Sequence, residues 1–243
     1  MPTVILMYHR LSREQAQPYA VPVPAFTRHM RMLAASGAAV VSLDAASGMT
    51  KAARRSRHLQ VCLTFDDGCE DFYTLAAPIL SDHGFTAAVF MTTAFIGKTA
   101  PFDGADTTFL SRSMLQELHA AGFAIQSHTA THQDLTTLSP DALMQEMSGS
   151  RSMLEDILGA PVHHVAYPYG RYNENVVQAA AGAGYRYGYC AGHCPSGPYT
   201  TARMAVRGGD SPLAFSLKMK GIAGSLRSLK CTLRDRVFRE PAS

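Results

Sequence analysis

Two adjacent carboxylates, Asp66 and Asp67, follow the apolar run Val61-Cys-Leu-Thr-Phe65 and precede Gly68. Neighbouring residues at a strand end diverge in direction, so one acid can hold a metal while the other stays free as a base. The plain alternative is a turn, because Asp-Gly is a common turn dipeptide. A second cluster tips the balance. Phe123-Ala-Ile-Gln-Ser127 is again strand-like and runs into His128-Thr-Ala-Thr-His132. Two histidines four apart converge on one ion if the loop turns like a helix, and with a carboxylate they leave open positions for water and substrate. The third cluster is Ala166-Tyr-Pro-Tyr-Gly-Arg-Tyr-Asn173. Its aromatic, Pro and Gly residues suit a rigid loop that walls a sugar pocket and aims an N–H at a developing oxyanion. A simple strand-to-helix turn explains the same residues less specifically.

These clusters need a scaffold. Val4–Tyr8, Val40–Leu43, Val61–Phe65, Ala87–Met91, Phe123–Ser127 and His164–Tyr167 read as buried strands, with Tyr185–Cys190 a weaker seventh. Helices are expected between them. One spans Ala25–Ala35 and one Phe72–His83. Another follows a Ser111 cap and stops at Gly122. A fourth starts at Ser139-Pro140 and runs to Leu158, and a fifth covers Asn173–Ala183. Strand–helix alternation at this spacing implies a mainly parallel α/β sheet or barrel, whose carboxyl edge is where sites form. Thr92–Leu110 is long for a connection and reads as a rim or lid. Lys51–His58 reads as a solvated loop. No Gly-rich phosphate-binding motif follows a strand.

The 243 residues are 47% hydrophobic and 17% charged, which excludes disorder, and no apolar run reaches the length of a membrane span. A net charge of +3 gives no motive for nucleic acid. Five cysteines, and an opening stretch without a basic leader, favour a reducing cytoplasm. The basic residues are unevenly placed. Lys218, Lys220, Arg227, Lys230, Arg234, Arg236 and Arg239 face only Asp235 and Glu240, and Ile222, Leu226, Leu229, Leu233 and Val237 share one helical face. The division expected is therefore a catalytic domain over 1–220 and a basic amphipathic helix or tail over 221–243. That helix either covers the barrel or lies, through 222–240, on the inner face of an anionic membrane.

Thr64-Phe65-Asp66-Asp67-Gly68, His128-Thr-Ala-Thr-His132 and Tyr167-Pro168-Tyr169-Gly170 resemble, in order and spacing, the first three motifs of the polysaccharide deacetylases, carbohydrate esterase family 4. Met7-Tyr8-His9-Arg10 resembles the subgroup associated with bacterial exopolysaccharide synthesis. The resemblance implies a distorted, incomplete (β/α) barrel. It implies a divalent metal, with zinc favoured and cobalt, nickel or manganese able to replace it, held by Asp67, His128 and His132. Asp66 would be the general base, and the Tyr169 N–H would help stabilise the oxyanion beside Pro168 and Tyr167. The reaction implied is removal of N-acetyl groups from a glycan or a lipid-linked precursor. Removal of another small acyl group such as formyl, or a glycan-binding relic, are the alternatives.

Two positions depart from the family pattern. Ala166 stands where an arginine often orients the base, and Arg203 resembles an arginine that the exopolysaccharide subgroup places on a late strand, with Arg207 and Arg171 as rivals. The late Leu-x-His that supplies a general acid has no match. His9, at the end of the first strand, is ranked first for that role and His193 second. Cys190-Ala-Gly-His193-Cys194 reads as a flexible loop on the substrate side in preference to a second metal site.

Overall fold

The computed structural model describes residues 3–13, 19–48, 59–102, 104–192, 194–195 and 197–222. Its centre is β5 (Gln60–Phe65), six residues that are all buried. Such a strand needs apolar cover on both faces, and β-branched or aromatic residues suit it. It pairs in parallel, residue for residue, with β1 (Thr3–Tyr8), from Thr3 opposite Gln60 to Tyr8 opposite Phe65. Short pairs β2 (Arg10–Ser12) and β3 (Ala20–Pro22) follow β1.

The other edge of β5 is shared. β4 (Ala39–Val40) takes its N-terminal half and β6 (Ala88–Met91) its C-terminal half. From β6 the parallel sheet continues to β9 (Ala124–Ser127), β10 (His164–Ala166), β11 (Tyr187–Ala191) and β12 (Thr201–Ala205), and β12 returns to β1. Seven strands thus close a parallel barrel, with β4 outside the ring. This is the distorted (β/α) barrel with fewer than eight strands that the sequence led us to expect. β7 (Thr99–Phe102) and β8 (Ala105–Thr108) form a separate antiparallel hairpin within Thr92–Leu110.

Several expected elements shift. Val40–Leu43 is not a continuous strand, because Ser42 accepts a hydrogen bond from the Ala45 N–H and caps the short α2 (Leu43–Ala46). β12 was expected only as the late strand that the family resemblance gives to Arg203, and no apolar pattern marks it. Its Thr-Ala-Arg-Met-Ala sequence has no apolar run, and its buried inward residue is an arginine. The Phe72–His83 helix begins as a π-turn over Phe72–Ala76 and continues as α3 (Ala77–Asp82).

Ile5, Cys62, Ala88, Phe90, Ala166 and Tyr189 fill the barrel interior above Leu43 of α2. A larger apolar cluster lies outside the strands, beneath α1 (Val23–Ala35), α4 (Arg112–Ala120), α5 (Pro140–Leu158), α6 (Glu174–Gly182) and α7 (Pro212–Met219). The caps at Ser111, Ser139 and Asn173 form, and Gly159 ends α5 in the left-handed conformation. No helix among the described residues is long and apolar enough to cross a membrane. Of the expected 221–243 tail, all but Gly221 and Ile222 lie outside the described residues.

Candidate metal centre

The ends of β5, β9 and β10 deliver the three sequence clusters to one edge of the barrel. Asp66 continues β5, its N–H donating to the Tyr8 carbonyl at 3.0 Å, and the chain then turns sharply at Asp67. Four non-glycine residues among those described have positive φ: Asp67 (72°), Thr129 (65°), His132 (63°) and Tyr169 (59°). All four belong to the clusters read from sequence. Strained backbone persists where surrounding structure over-determines it, and it concentrates at functional sites. Gly68, at φ 80°, has no room for a side chain, since a Cβ there would stand 2.1 Å from Met91 Sδ.

The carboxylate of Asp67 faces both histidines. Its Oδ1 lies 3.5 Å from His128 Nε2 and 3.5 Å from His132 Nε2. One donor atom from each residue falls within a 4.8 Å span. His128 Nδ1 lies 2.8 Å from the Ala166 carbonyl oxygen, to which it can only donate, so its Nε2 is the nitrogen left toward Asp67. Burial and the charge of His128 hold His132 down to about 4, leaving it neutral with a lone pair to give. Burial opposes charge on His128 as well, but Asp66 and Asp67 outweigh it and raise its pKa. Asp67 is buried, which raises its pKa, yet His128, His9 and His132 together pull it below the ordinary carboxylate value. Two imidazole nitrogens and one carboxylate oxygen within this span fit a divalent metal ion.

Asp66 gives both carboxylate oxygens to Arg203. Arg203 Nη1 donates to its Oδ1 at 2.6 Å and Nη2 to its Oδ2 at 2.7 Å. The guanidinium lies 5.0 Å from the Phe90 ring centroid, in cation–π range. Of the two rival arginines, Arg171 pairs with Asp134 on the surface and Arg207 gives its backbone N–H to Asp210.

The third cluster divides. Tyr167 is buried, and its hydroxyl donates to the Tyr199 carbonyl, so its side chain supports the loop from behind. Pro168 is buried as well, while Tyr169 is 60% exposed, with its ring 4.9 Å from that of His132. His9 is half-buried beside Tyr19, and its charge helps lower both Asp66 and Asp67. His193 lies outside the described residues. Cys190 and Cys194 are joined in a disulfide, a pairing the cysteine count had not suggested.

The Thr92–Leu110 connection forms part of the rim. Phe95, Phe102 and Phe109 cluster there, and the Phe102 ring sits 4.9 Å from His132. Sequence reading did not single out Phe102. The available signal was three phenylalanines in one connection between a strand and a helix.

Comparison with known proteins agrees with this geometry. Residues 54–188 match the family model for polysaccharide deacetylase. The YxkH protein of Bacillus subtilis (strain 168) is 32% identical over 215 residues, 87% of this chain and 74% of that protein. The poly-β-1,6-N-acetyl-D-glucosamine N-deacetylase of Staphylococcus aureus (strain MRSA252) is 24% identical over 192 residues, 75% of this chain and 65% of its own length. Among solved structures, the Streptococcus pyogenes deacetylase PplD in complex with acetate superposes with a TM-score of 0.77 at 28% identity, covering 90% of this chain and 98% of PplD. The chain belongs to the polysaccharide deacetylase family.

Proposed function

We propose that the chain is a metal-dependent hydrolase that removes N-acetyl groups from a glycan or glycan precursor in bacterial polysaccharide synthesis. The observation that carries this reading is the division of labour between adjacent carboxylates: Asp67 faces two histidine nitrogens, and Asp66 faces Arg203. A pure binding protein has no use for the second arrangement. The staphylococcal relative, whose name gives an N-acetylglucosamine polymer as substrate, supports the choice of an amide on an amino sugar.

In this reading Asp67, His128 and His132 hold the divalent ion, which is zinc on the preference of nitrogen donors. When bound, it supplies Lewis-acid polarisation of the amide carbonyl and lowers the pKa of water. Asp66, kept ionised and oriented by Arg203, takes the proton of the attacking water. The Tyr169 N–H serves as the donor that acts on charge as it develops on the acyl oxygen. His9 gives a proton to the departing amine. Acetate and a free amino sugar result.

The test is release of acetate from N-acetylglucosamine oligomers, with and without chelator, alongside the metal content of Asp67→Ala, His128→Ala and His132→Ala. Chelation should abolish release and metal restore it, and bound metal should fall to background in the three variants. Full stoichiometric metal in all three, or chelator-resistant turnover, would refute the proposal.

A further inference from the structure

The loop between the two histidine ligands is gripped from outside the barrel by a helix that the reaction does not otherwise involve. α5 buries one face against the strands, through Leu143, Glu146, Met147, Ser150, Leu154 and Ile157. The spacing is that of an apolar stripe, so Glu146 and Ser150, one helical turn apart, stand where apolar residues are expected. Glu146 is 7% exposed, and no ion pair among the described residues includes it. A buried carboxylate without a cation persists only when its oxygens are well supplied with donors.

All of its donors come from the histidine loop. Glu146 Oε2 accepts the N–H groups of Ala130 and Thr131, each at 2.9 Å, and Oε1 accepts the Thr131 hydroxyl at 2.5 Å. Ser150 continues the grip, because its hydroxyl meets Ser127 Oγ at 2.9 Å and Ser127 Oγ accepts the Thr129 N–H at 3.1 Å. From the other side, the Thr93 and Ala94 N–H groups donate to the carbonyls of Thr129 and Ala130. The loop so clamped holds the positive φ values of Thr129 and His132. Each of these is an unfavourable conformation for an L-residue, and the loop needs external contacts to keep both at once.

We propose that Glu146 is a positioning residue for metal binding: its carboxylate clamps the loop so that His128 and His132 present their Nε2 atoms together. The proposal rests on the metal site described above. It applies the general rule that groups behind the ligands set metal affinity, with losses on the order of 10–100-fold when they are removed.

The experiment is a cobalt or zinc titration of the apo forms of the full chain, read by the cobalt d–d absorption and by competition with a chromophoric chelator. Glu146→Leu suits the apolar stripe, and its metal affinity should fall roughly tenfold or more, with an altered cobalt spectrum. Glu146→Gln keeps one carbonyl oxygen for the two N–H groups and should stay within about threefold of wild type. Leu143→Ala, on the same helix face, controls for stability. It should lower the melting temperature and leave the affinity of the folded protein unchanged. If Glu146→Leu does not fold, Thr131→Val deletes one of the three bonds from an exposed residue and should weaken uptake severalfold. Wild-type affinity in Glu146→Leu, or in Thr131→Val where that variant stands in, or an equal loss in Leu143→Ala, overturns the proposal. Absence of uptake by the wild type would instead refute the metal site itself.

Discussion

Arg203 and Asp66 meet as two planar groups, side by side, with their side chains only 1% and 4% exposed. The fork geometry uses both carboxylate oxygens, so it fixes rotation as well as position. Nη1 also lies 3.3 Å from Thr64 Oγ1, whose hydroxyl is committed to the Leu6 carbonyl, so the arginine is held at two points along β5, one of them tied in turn to β1. Burial alone would push Asp66 up, but the charges of Arg203 and His128 outweigh it and bring the pKa to about 2. The carboxylate is therefore ionised across the working range of an enzyme. What it gives up in basicity it gains in fixed direction, a trade suited to the role of base proposed for it beside Asp67.

A buried pair behaves differently when one partner is lost than when both are. Arg203→Met strands the Asp66 charge, and a broken buried pair costs about 3–5 kcal/mol. Asp66→Asn strands the guanidinium instead. The double variant Asp66→Asn/Arg203→Met should recover much of the lost stability. Turnover should fall by ~10²–10⁴-fold in every variant lacking Asp66, since Asn cannot take the proton. Metal content should persist in Asp66→Asn, because Asp66 is not among the three converging donors. Denaturant unfolding checks the first claim, and simple additivity of the two single losses would count against it.

The sequence revealed the parts of the site that coincide with regular chemistry. The Asp-Asp and His-x-x-x-His clusters end strands whose apolar runs stand out, because β5 and β9 are covered on both faces. Arg203 was accessible only through the family resemblance, since β12 carries no apolar signature and the arginine's partner lies 137 residues away. Tyr167 reads as a pocket wall in the linear motif. Strand alternation turns its ring into the outer apolar cluster, leaving Tyr169 as the exposed ring. Glu146 is hidden by the opposite effect: an acid within an amphipathic helix looks like a solvated face until the fold shows that the face is buried. The positive φ values at Asp67 and His132 leave no mark in the sequence at all, because neither residue is glycine.

The Tyr169 turn offers a test that leaves the metal untouched. Gly170 has φ 66°, and a Cβ there would stand 2.6 Å from the Ala191 backbone nitrogen and 2.5 Å from its Cβ. Neither neighbour is a flexible side-chain end, so Gly170→Ala must move the turn. A misplacement of about 1 Å can cost on the order of 10²-fold in rate. Turnover should drop accordingly while metal binds as before. Activity within twofold of wild type would remove Tyr169 from the reaction.

His9→Ala addresses the proton donor. The variant should fold and take up metal, because His9 is not one of the three converging donors. Loss of a general acid typically costs ~10²–10⁴-fold and changes the limb of the pH–rate profile that reports it. A profile that keeps its shape in this variant would move the role to His193 or to solvent.

A further prediction concerns stability and acid. His29 is 1% exposed, its ring stacks on Phe215 with centroids 3.9 Å apart, and its Nδ1 lies 3.3 Å from the Tyr8 hydroxyl. Its Nε2 is buried without a hydrogen-bond partner. Burial, reinforced by the charges of Arg28 and Lys218 and opposed by Asp210, holds its pKa down to about 4. The unfolded chain binds a proton at this residue from about pH 6.5 downward, while the folded one refuses it until about pH 4. Between those values the unfolded state carries more protons, so stability falls as pH falls, by roughly 3 kcal/mol from this residue across the window. His29→Phe keeps the stacking and removes the titration. Urea unfolding at several pH values from about 7 to 4 should show a visibly flatter decline in the variant than in the wild type. Parallel declines would mean that His29 is already satisfied in its protonated form, and that the acid sensitivity of the fold lies elsewhere.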